Sequence, residues 1–221
     1  MKKSRNIFKS IHKSTRRNYL ERMLNQKSNY MKIAKKYSVD YWDGDRASGY
    51  GGYRYIEGYW DKVIDKLIKF YKLNNKSKIL DVGCGKGFLL NDIKKRLPNI
   101  EIRGIDISRY AINKAPIKIK KFLKIIRAQD KYPFKNKYFD LVISFGCIHN
   151  LEIFDIKNCL SEISRVGKKQ FIMTESYRNN KELFNLQCWA LTCESFFSPN
   201  EWKWIFKEFK YDGDYELIFF E

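Results

Sequence analysis

The strongest constraint on this chain is the segment 79–90, ILDVGCGKGFLL, in which an apolar run leads into three alternating glycines. Glycine adopts the positive φ angles of a sharp strand-to-helix turn and allows a ligand to approach the backbone, so a bound ligand is the expected reason for all three. We expect a strand, a turn that holds a small anionic group, and a helix. Asp81 would repel a pyrophosphate but hold an ammonium, and Phe88 stands where the dinucleotide pattern G-x-G-x-x-G requires glycine. This spacing disfavours a nicotinamide enzyme.

Three further motifs follow along the chain. The segment 102–108, IRGIDIS, is typical of a second strand that ends in an acid, and its Asp106 lies 19 residues after Gly87. Residues 128–134 and the apolar segment 139–144, FDLVIS, then indicate a turn and a fourth strand. Together the four motifs resemble those of class I S-adenosylmethionine-dependent methyltransferases, and the resemblance covers roughly residues 60 to 175.

The resemblance implies an α/β fold with a doubly wound, mostly parallel sheet of six to seven strands, the Rossmann-like methyltransferase fold, with an N-terminal helical and loop cap. It also implies S-adenosyl-L-methionine as cofactor. Asp106 matches the acid that takes the ribose hydroxyls, whereas Asp130 stands two residues after the position where many relatives carry the acid that faces the adenine amine. The expected cofactor-binding residues are Asp81, Gly83, Cys84, Gly85, Asp106, Ile107, Gln129, Asp130 and Ser144, with Tyr53 and Arg54 from the loop described below.

The rest of the chain alternates between strand and helix patterns. Strands are predicted over 78–82, 101–106, 122–127, 139–144, 170–174 and 215–220, with helical patterns between them. This alternation predicts a parallel sheet with its ligand at the carboxyl ends of the strands. Relatives close the sheet with an antiparallel pair, so either one strand is missing here or residues 192–197 supply it.

Length and composition fit one cytoplasmic domain. A chain of 221 residues buries about 70% of the surface of its unfolded form, which suffices for one sizeable core. No apolar run reaches the roughly 18 residues of a membrane span, and the basic start lacks the apolar region of a secretion signal. Five cysteines without a C-x-x-C pair argue against a disulfide framework and against a zinc site.

The formal charge of +19 admits two interpretations. Clustered Lys and Arg side chains bind the phosphates of nucleic acids. However, lysine outnumbers arginine 32 to 12, which is the bias expected from an AT-rich genome. Residues 1–36 carry 12 basic side chains and one acidic side chain, so +11 of the +19 lies there. The charge therefore fits either composition bias with a solvated basic leader or contact with a polyanion.

The chain divides into three predicted parts. Residues 1–13 are charged without apolar periodicity and predict a basic flexible leader. Residues 14–59 contain two short amphipathic patterns followed by an aromatic loop, and we expect them to form cap helices and a lid. Residues 60–221 correspond to the class I methyltransferase domain.

The loop 41–55 combines aromatic, charged and glycine residues without a regular period. Seven tyrosine or tryptophan residues lie from Tyr41 to Trp60, and aromatic faces attract a sulfonium or another cation by about 0.5 to 2 kcal/mol. Its four glycines predict hinges of a lid over the cofactor. The competing interpretation is a cap whose aromatics are core. The expected acceptor-binding residues are Tyr41, Trp42, Arg46 and Tyr50, with Tyr177 from beyond the fifth strand.

Two candidate catalytic bases follow the strands nearest the reacting methyl group. His149 lies after the fourth strand, where the fold faces the methyl group, and its unperturbed pKa of about 6.5 suits proton transfer. The alternative is a loop histidine that only bonds backbone. Glu175, at the end of the fifth strand, is the second candidate. No metal is expected, because the core region holds one histidine without a cluster of acids.

These patterns predict an enzyme that transfers a methyl group to an oxygen or nitrogen atom of a small-molecule acceptor of the metabolite or sugar type. The second hypothesis is an RNA methyltransferase that uses the basic N-terminus as its phosphate track. The third is a noncatalytic, cofactor-binding partner subunit. The chain lacks the (Asn/Asp)-Pro-Pro-(Tyr/Phe) signature of enzymes that methylate exocyclic amines of nucleic-acid bases, and no Cys follows a Pro as in cytosine-5 methyltransferases.

Overall fold

The computed structural model describes residues 3–8, 11–12 and 17–221. This part of the chain forms the strands β1 Lys78–Val82, β2 Glu101–Asp106, β3 Leu123–Ile125, β4 Phe139–Phe145, β5 Gly167–Ser176 and β6 Asp214–Phe219. They form one sheet in the order β3-β2-β1-β4-β5-β6, and all neighbouring strands are parallel. The strand order reverses between β1 and β4, which places a crevice at the carboxyl ends of these two strands.

Helices cover both faces of the sheet. They are α1 Tyr19–Leu24, α2 Lys27–Ala34, α3 Val39–Trp42, α4 Asp61–Tyr71, α5 Phe88–Arg96, α6 Arg109–Asn113, α7 Ile117–Lys120, α8 Ile153–Val166, α9 Asn180–Trp189 and α10 Pro199–Glu208. One apolar cluster packs α4 and α5 against the sheet, and a second cluster packs α8 and α10. The predicted doubly wound α/β fold is therefore confirmed. Within the described ranges, no helix is long and apolar enough to span a membrane.

The sheet ends in a parallel strand rather than in an antiparallel pair. β6 pairs with β5 from Phe171–Asp214 to Ser176–Phe219, and residues 192–197 form no strand. Among the described residues the sheet thus has six strands, the lower of the two predicted numbers. The outer edge of β6 is partly paired by the N-terminal segment, in which Ser4 forms a parallel bridge with Tyr215.

The described residues of the predicted flexible leader contact the edge strand β6 and the core. The backbone N–H groups of Ile7 and Phe8 donate hydrogen bonds to Glu216 Oε2 at 2.6 and 2.8 Å, and the Ile7 side chain is fully buried. His12 Nε2 lies 2.8 Å from the carbonyl oxygen of Phe219. The prediction relied on apolar periodicity, but an extended segment along a sheet edge needs only one apolar side chain that faces the core.

Candidate functional site

The glycine turn between β1 and α5 lies where the strand order reverses. Gly83, Gly85 and Gly87 have positive φ angles of 80°, 55° and 71°, which an L side chain rarely adopts. A Cβ atom at Gly83 would lie 2.7 Å from Cys147 Cβ, and one at Gly85 would lie 2.8 Å from the indole of Trp42. The expectation that a ligand accounts for all three glycines is therefore wrong, because protein side chains also pack directly on the turn.

Two cavities meet at the carboxyl side of this turn, with volumes of about 710 and 300 Å³. Gly83, Gly146 and Asn150 line both of them, so the two spaces adjoin. The predicted residues Asp81, Cys84, Gly85, Arg46, Tyr53, Arg54, His149 and Glu175 line the larger cavity, Asp106, Ile107 and Gln129 line the smaller one, and Tyr41, Trp42, Tyr50 and Gly83 line both. Most predicted site residues are thus brought together, although they come from distant parts of the chain.

Three predicted site residues lie outside both cavities. Ser144 is fully buried in β4 and donates a hydrogen bond to the carbonyl oxygen of Val82. Asp130 is paired at the surface with Arg127, whose guanidinium lies 2.7 Å from its carboxylate. Tyr177 is half-buried just beyond β5 and lines neither cavity. These side chains already have structural roles or point elsewhere, so the structure does not bring them to the site.

Asp106 ends β2 at the wall of the smaller cavity. Its carboxylate accepts hydrogen bonds from the backbone N–H of Gly85 at 2.8 Å and from that of Ser108 at 2.7 Å. Burial raises the pKa of Asp106, and these two hydrogen bonds oppose the increase. Ser108 also caps α6 by accepting a hydrogen bond from the N–H of Ala111. The acid is therefore fixed between the glycine turn and a helix start, beside the exposed side chain of Ile107.

Asp81, at the end of β1, is a buried carboxylate that accepts no hydrogen bond from any described residue. Burial, together with the negative charge of Asp106, raises the pKa of Asp81 to about 8. An ammonium group in the larger cavity would supply a positive partner and lower this pKa. Asn150 offers a second unmatched group, because its Oδ1 is buried and accepts no hydrogen bond within the described chain. Asn150 could not be predicted as a site residue, since one amide in an irregular turn gives no sequence pattern.

His149 and Glu175 face each other in the wall of the larger cavity. His149 Nε2 lies 3.5 Å from Glu175 Oε2, and Thr174 Oγ1 lies 3.4 Å from His149 Nδ1. Both ring nitrogens therefore face side chains, unlike those of a histidine that only bonds backbone. Burial lowers the pKa of His149, although the charge of Glu175 opposes the decrease. A neutral imidazole beside a carboxylate can accept a proton from a hydroxyl or amine in the cavity.

The aromatic loop is fastened to the glycine turn by an ion pair that was not predicted. Lys86 Nζ lies 2.6 and 2.7 Å from the two carboxylate oxygens of Asp43 and donates a hydrogen bond to the Tyr53 carbonyl at 2.8 Å. The Nε1–H group of Trp42 donates to Ser108 Oγ at 2.9 Å. Two sequence features could have predicted this ion pair. Lys86 is the one charged residue between the three glycines, and the loop expected to cover the turn contains acidic residues.

The aromatic loop has features of both a lid over the cavity and a cap whose aromatic residues belong to the core. Trp42 is buried over the turn and belongs to the core, whereas Tyr50 stacks on it at 5.3 Å between centroids and is 43% exposed. Gly44 and Gly49 allow tight backbone contacts, because a Cβ atom at either position would clash with the main chain of α3. These two glycines therefore serve packing, so the predicted hinges are better placed at Gly51 and Gly52, whose φ angles are positive.

Carboxylates at the ends of β1 and β2, on either side of the glycine turn, suit the ammonium and ribose groups of S-adenosylmethionine. Fold and site thus define a class I S-adenosylmethionine-dependent methyltransferase. Comparison with known families agrees, since the family described as "Methyltransferase domain" matches residues 73–210. The chain belongs to this family, and S-adenosylmethionine is its cofactor.

Two curated relatives are similar over part of the chain. Demethylmenaquinone methyltransferase from Thermotoga maritima is 30% identical over 112 residues, which cover 50% of this chain and 46% of that protein. Ribosomal RNA small subunit methyltransferase C from Haemophilus influenzae is 35% identical over 77 residues, which cover 34% of this chain and 23% of that protein. The chain therefore spans about half and about a quarter of the lengths of these relatives.

A solved structure of geranyl diphosphate C-methyltransferase from Streptomyces coelicolor A3(2) has a similar fold. That protein was crystallised with Mg²⁺, geranyl diphosphate and S-adenosyl-L-homocysteine. The TM-score is 0.54 with 16% sequence identity, and the match covers 81% of this chain and 78% of that one. At this level of identity the similarity concerns the fold.

Proposed function

We propose that this protein transfers a methyl group from S-adenosylmethionine to an oxygen or nitrogen atom of a small-molecule acceptor. The observation that carries the proposal is the junction of the two cavities. Gly83 and Asn150 line both cavities, so Asp81 and Asp106 adjoin the same continuous space as the His149–Glu175 pair. An acceptor in the larger cavity would therefore meet both the cofactor groups and a proton acceptor.

The roles of the residues follow from their surroundings. Asp81 and Asn150 would hold the amino-acid end of the cofactor, and Asp106 would hold the ribose. The bound cofactor supplies an electrophilic methyl group on its sulfonium. The His149–Glu175 pair takes the proton that the acceptor hydroxyl or amine loses, since His149 is neutral near pH 7 and the adjacent carboxylate stabilises its charged form. Positioning of this kind can supply about 7 to 11 kcal/mol of the barrier.

RNA methylation is the second candidate, because the charge is +19 and one partial relative is named for ribosomal RNA. Two arginines of the N-terminal part favour the smaller acceptor. Arg17 and Arg22 are half-buried and line the larger cavity rather than an outer face. A free small molecule fits such a cavity without opening a long groove.

A labelling experiment separates the three hypotheses. The protein is incubated with S-adenosylmethionine labelled in its methyl group, either with a metabolite fraction below 3 kDa or with total RNA from the source cells. We expect label in the metabolite fraction. Label in RNA instead would replace the proposal with the second candidate. Measured binding of S-adenosyl-L-homocysteine with no label in either fraction would favour a noncatalytic partner subunit.

A further inference from the structure

Three arginines surround one tryptophan in the wall of the larger cavity. The guanidinium carbons of Arg17, Arg22 and Arg46 lie 5.3, 4.4 and 5.0 Å from the centroid of the Trp189 ring. All four side chains line the cavity. Contact with an aromatic face helps to hold cations in place, but it leaves their positive charges in the cavity.

Two members of this arginine cluster, Arg22 and Arg46, form no ion pair with a carboxylate of the described residues. Within the described chain, Arg22 has no carboxylate partner, and its buried Nε atom donates no hydrogen bond. Burial and the positive charge of Arg46 lower the pKa of Arg22 to about 10. Arg46 donates hydrogen bonds to the carbonyl oxygens of Gly49 and Tyr50, which carry no formal charge. Like charges held together in this way favour a bound anion.

The two acids of the same cavity form no ion pair with Arg22 or Arg46. Asp81 lies at the glycine turn, and Glu175 lies 3.5 Å from His149. Arg17 is close enough to Glu175 for their charges to interact, so the arginine cluster adjoins the candidate base. An anionic group bound by the cluster would therefore keep the rest of the same molecule beside Glu175 and His149.

We propose that Arg22 and Arg46 bind the anionic group of the acceptor, a carboxylate or a phosphate, and that the methyl acceptor is a small acidic molecule. The inference rests on the proposed function and names the acceptor class for it. Guanidinium groups match carboxylate and phosphate oxygens with paired hydrogen bonds, so the guanidinium groups of Arg22 and Arg46 select an anion by geometry as well as by charge.

The test uses Trp189 as its own probe. The protein is labelled with 5-fluorotryptophan and saturated with S-adenosyl-L-homocysteine, and the Trp189 fluorine signal is assigned from its loss in Trp189→Phe. Inorganic phosphate and acetate are titrated separately, with chloride keeping the ionic strength constant. We expect a saturable shift of the Trp189 signal, and the anion that binds more tightly identifies the group. Arg22→Gln should weaken this binding at least tenfold.

A matched control removes the same charge outside the cavity. Arg109 is exposed at the start of α6 and lines neither cavity, so Arg109→Gln should leave anion binding unchanged. If Arg22→Gln does not fold, Arg46→Gln takes its place, because Arg46 is exposed. Equal weakening in cluster and control variants, or no shift beyond that of chloride, would overturn the proposal. Tighter binding of an RNA oligonucleotide with steep salt dependence would overturn it in favour of RNA.

The two proposals fail in different ways. Calorimetry with S-adenosyl-L-homocysteine tests the cofactor site without any anion. Normal cofactor binding together with a silent Trp189 signal rejects only the acidic acceptor, and absent cofactor binding rejects the methyltransferase proposal itself.

Discussion

Lys86 Nζ lies 2.6 Å from Asp43 Oδ1, and this ion pair joins the glycine turn to the aromatic loop. The Lys86 side chain is 5% exposed, so separation of the pair would leave a nearly buried charge without its carboxylate partner. We expect cofactor exchange to require movement of the loop, since the Trp42 ring packs on Gly85. Separation of the Asp43–Lys86 pair should therefore contribute to the free energy needed to open the aromatic loop.

The first prediction concerns this ion pair. Asp43→Asn removes the charge that holds Lys86, so we expect protease cleavage within residues 41–55 to become several-fold faster in the absence of ligand. Asp45→Asn is the control, because the Asp45 carboxylate accepts a hydrogen bond only from the nearby N–H of Ala47. Cleavage at equal rates in both variants would show that the pair does not hold the loop.

The second prediction is a pH-dependent gain of stability in Asp81→Asn. The pKa of Asp81 is about 8 in the folded protein and about 3.9 in an unfolded chain, so its contribution is most favourable below about pH 4 and is lost as the pH rises to about 8. Removal of the carboxylate should therefore raise Tm more at pH 8 than at pH 5. Asp212→Asn serves as control, because it removes a carboxylate that is exposed at the surface.

The raised pKa of Asp81 also determines how we expect cofactor affinity to depend on pH. Below its pKa of about 8, Asp81 must release a proton before it can pair with an ammonium. Affinity for S-adenosyl-L-homocysteine should thus increase from pH 6 to pH 8, by up to about tenfold per unit. Calorimetry at pH 7 in buffers of different ionisation enthalpy should detect proton release in the native protein. Equal proton release in Asp81→Asn would assign it to another group.

The third prediction compares Asp106 and Asp130, which were both predicted to bind the cofactor. Asp106→Asn should weaken S-adenosyl-L-homocysteine binding by about 1.5 to 3 kcal/mol, because charge-assisted hydrogen bonds to the ribose are lost. Asp130→Asn should have no effect, since Asp130 is paired with Arg127 outside both cavities. Calorimetry measures both. Weaker binding in Asp130→Asn would return that residue to the adenine site.

The fourth prediction concerns the candidate base pair, once labelling has identified an acceptor. His149→Gln and Glu175→Gln should each lower kcat by about 10² to 10⁴ without changing cofactor affinity. Burial lowers the pKa of His149, so its neutral form persists below pH 6.5 and activity should decrease only at lower pH. The variant that loses this acidic decrease identifies the titrating residue. A cofactor affinity that falls in parallel with kcat would indicate a binding role instead.

The fifth prediction concerns the N-terminal segment along β6. Ile7 is fully buried against the core, so Ile7→Ala should cost about 2 to 5 kcal/mol of unfolding free energy. Lys3 is exposed, and Lys3→Ala should change stability little. Urea unfolding of both variants provides the measurement. Similar midpoints would show that the N-terminal segment contributes no packing energy.

Much of the fold could be predicted because the apolar patterns of the strands match their burial in the sheet. β1 and β2 have the predicted bounds, since both are apolar strands buried in the middle of the sheet. β3 was predicted over 122–127 but spans Leu123–Ile125, because it is an edge strand with two exposed residues that pairs with β2 alone.

The candidate site was predictable where backbone shape defines it and less so where side chains from distant segments meet. The glycine turn and Asp106 follow from spacing in one βα unit. Asp43 and Lys86 are 43 residues apart, and Trp189 joins arginines from the N-terminal part of the chain. Such long-range contacts depend on how the N-terminal cap packs on the sheet, and the apolar periodicity of the sequence does not determine that packing.

The pairing between the N-terminal segment and β6 has a consequence for the order of synthesis. The backbone N–H of Ile7 donates a hydrogen bond to the carboxylate of Glu216, which lies 209 residues later in the chain. Phe8 and Phe220, from the same two segments, both line the larger cavity. A ribosome-bound chain that has not reached β6 already contains the glycine turn and Asp106 but lacks part of the wall of the larger cavity. The larger cavity is thus completed only after β6 has been made, and a polypeptide cut before β6 would keep the cofactor motifs while lacking part of the cavity wall.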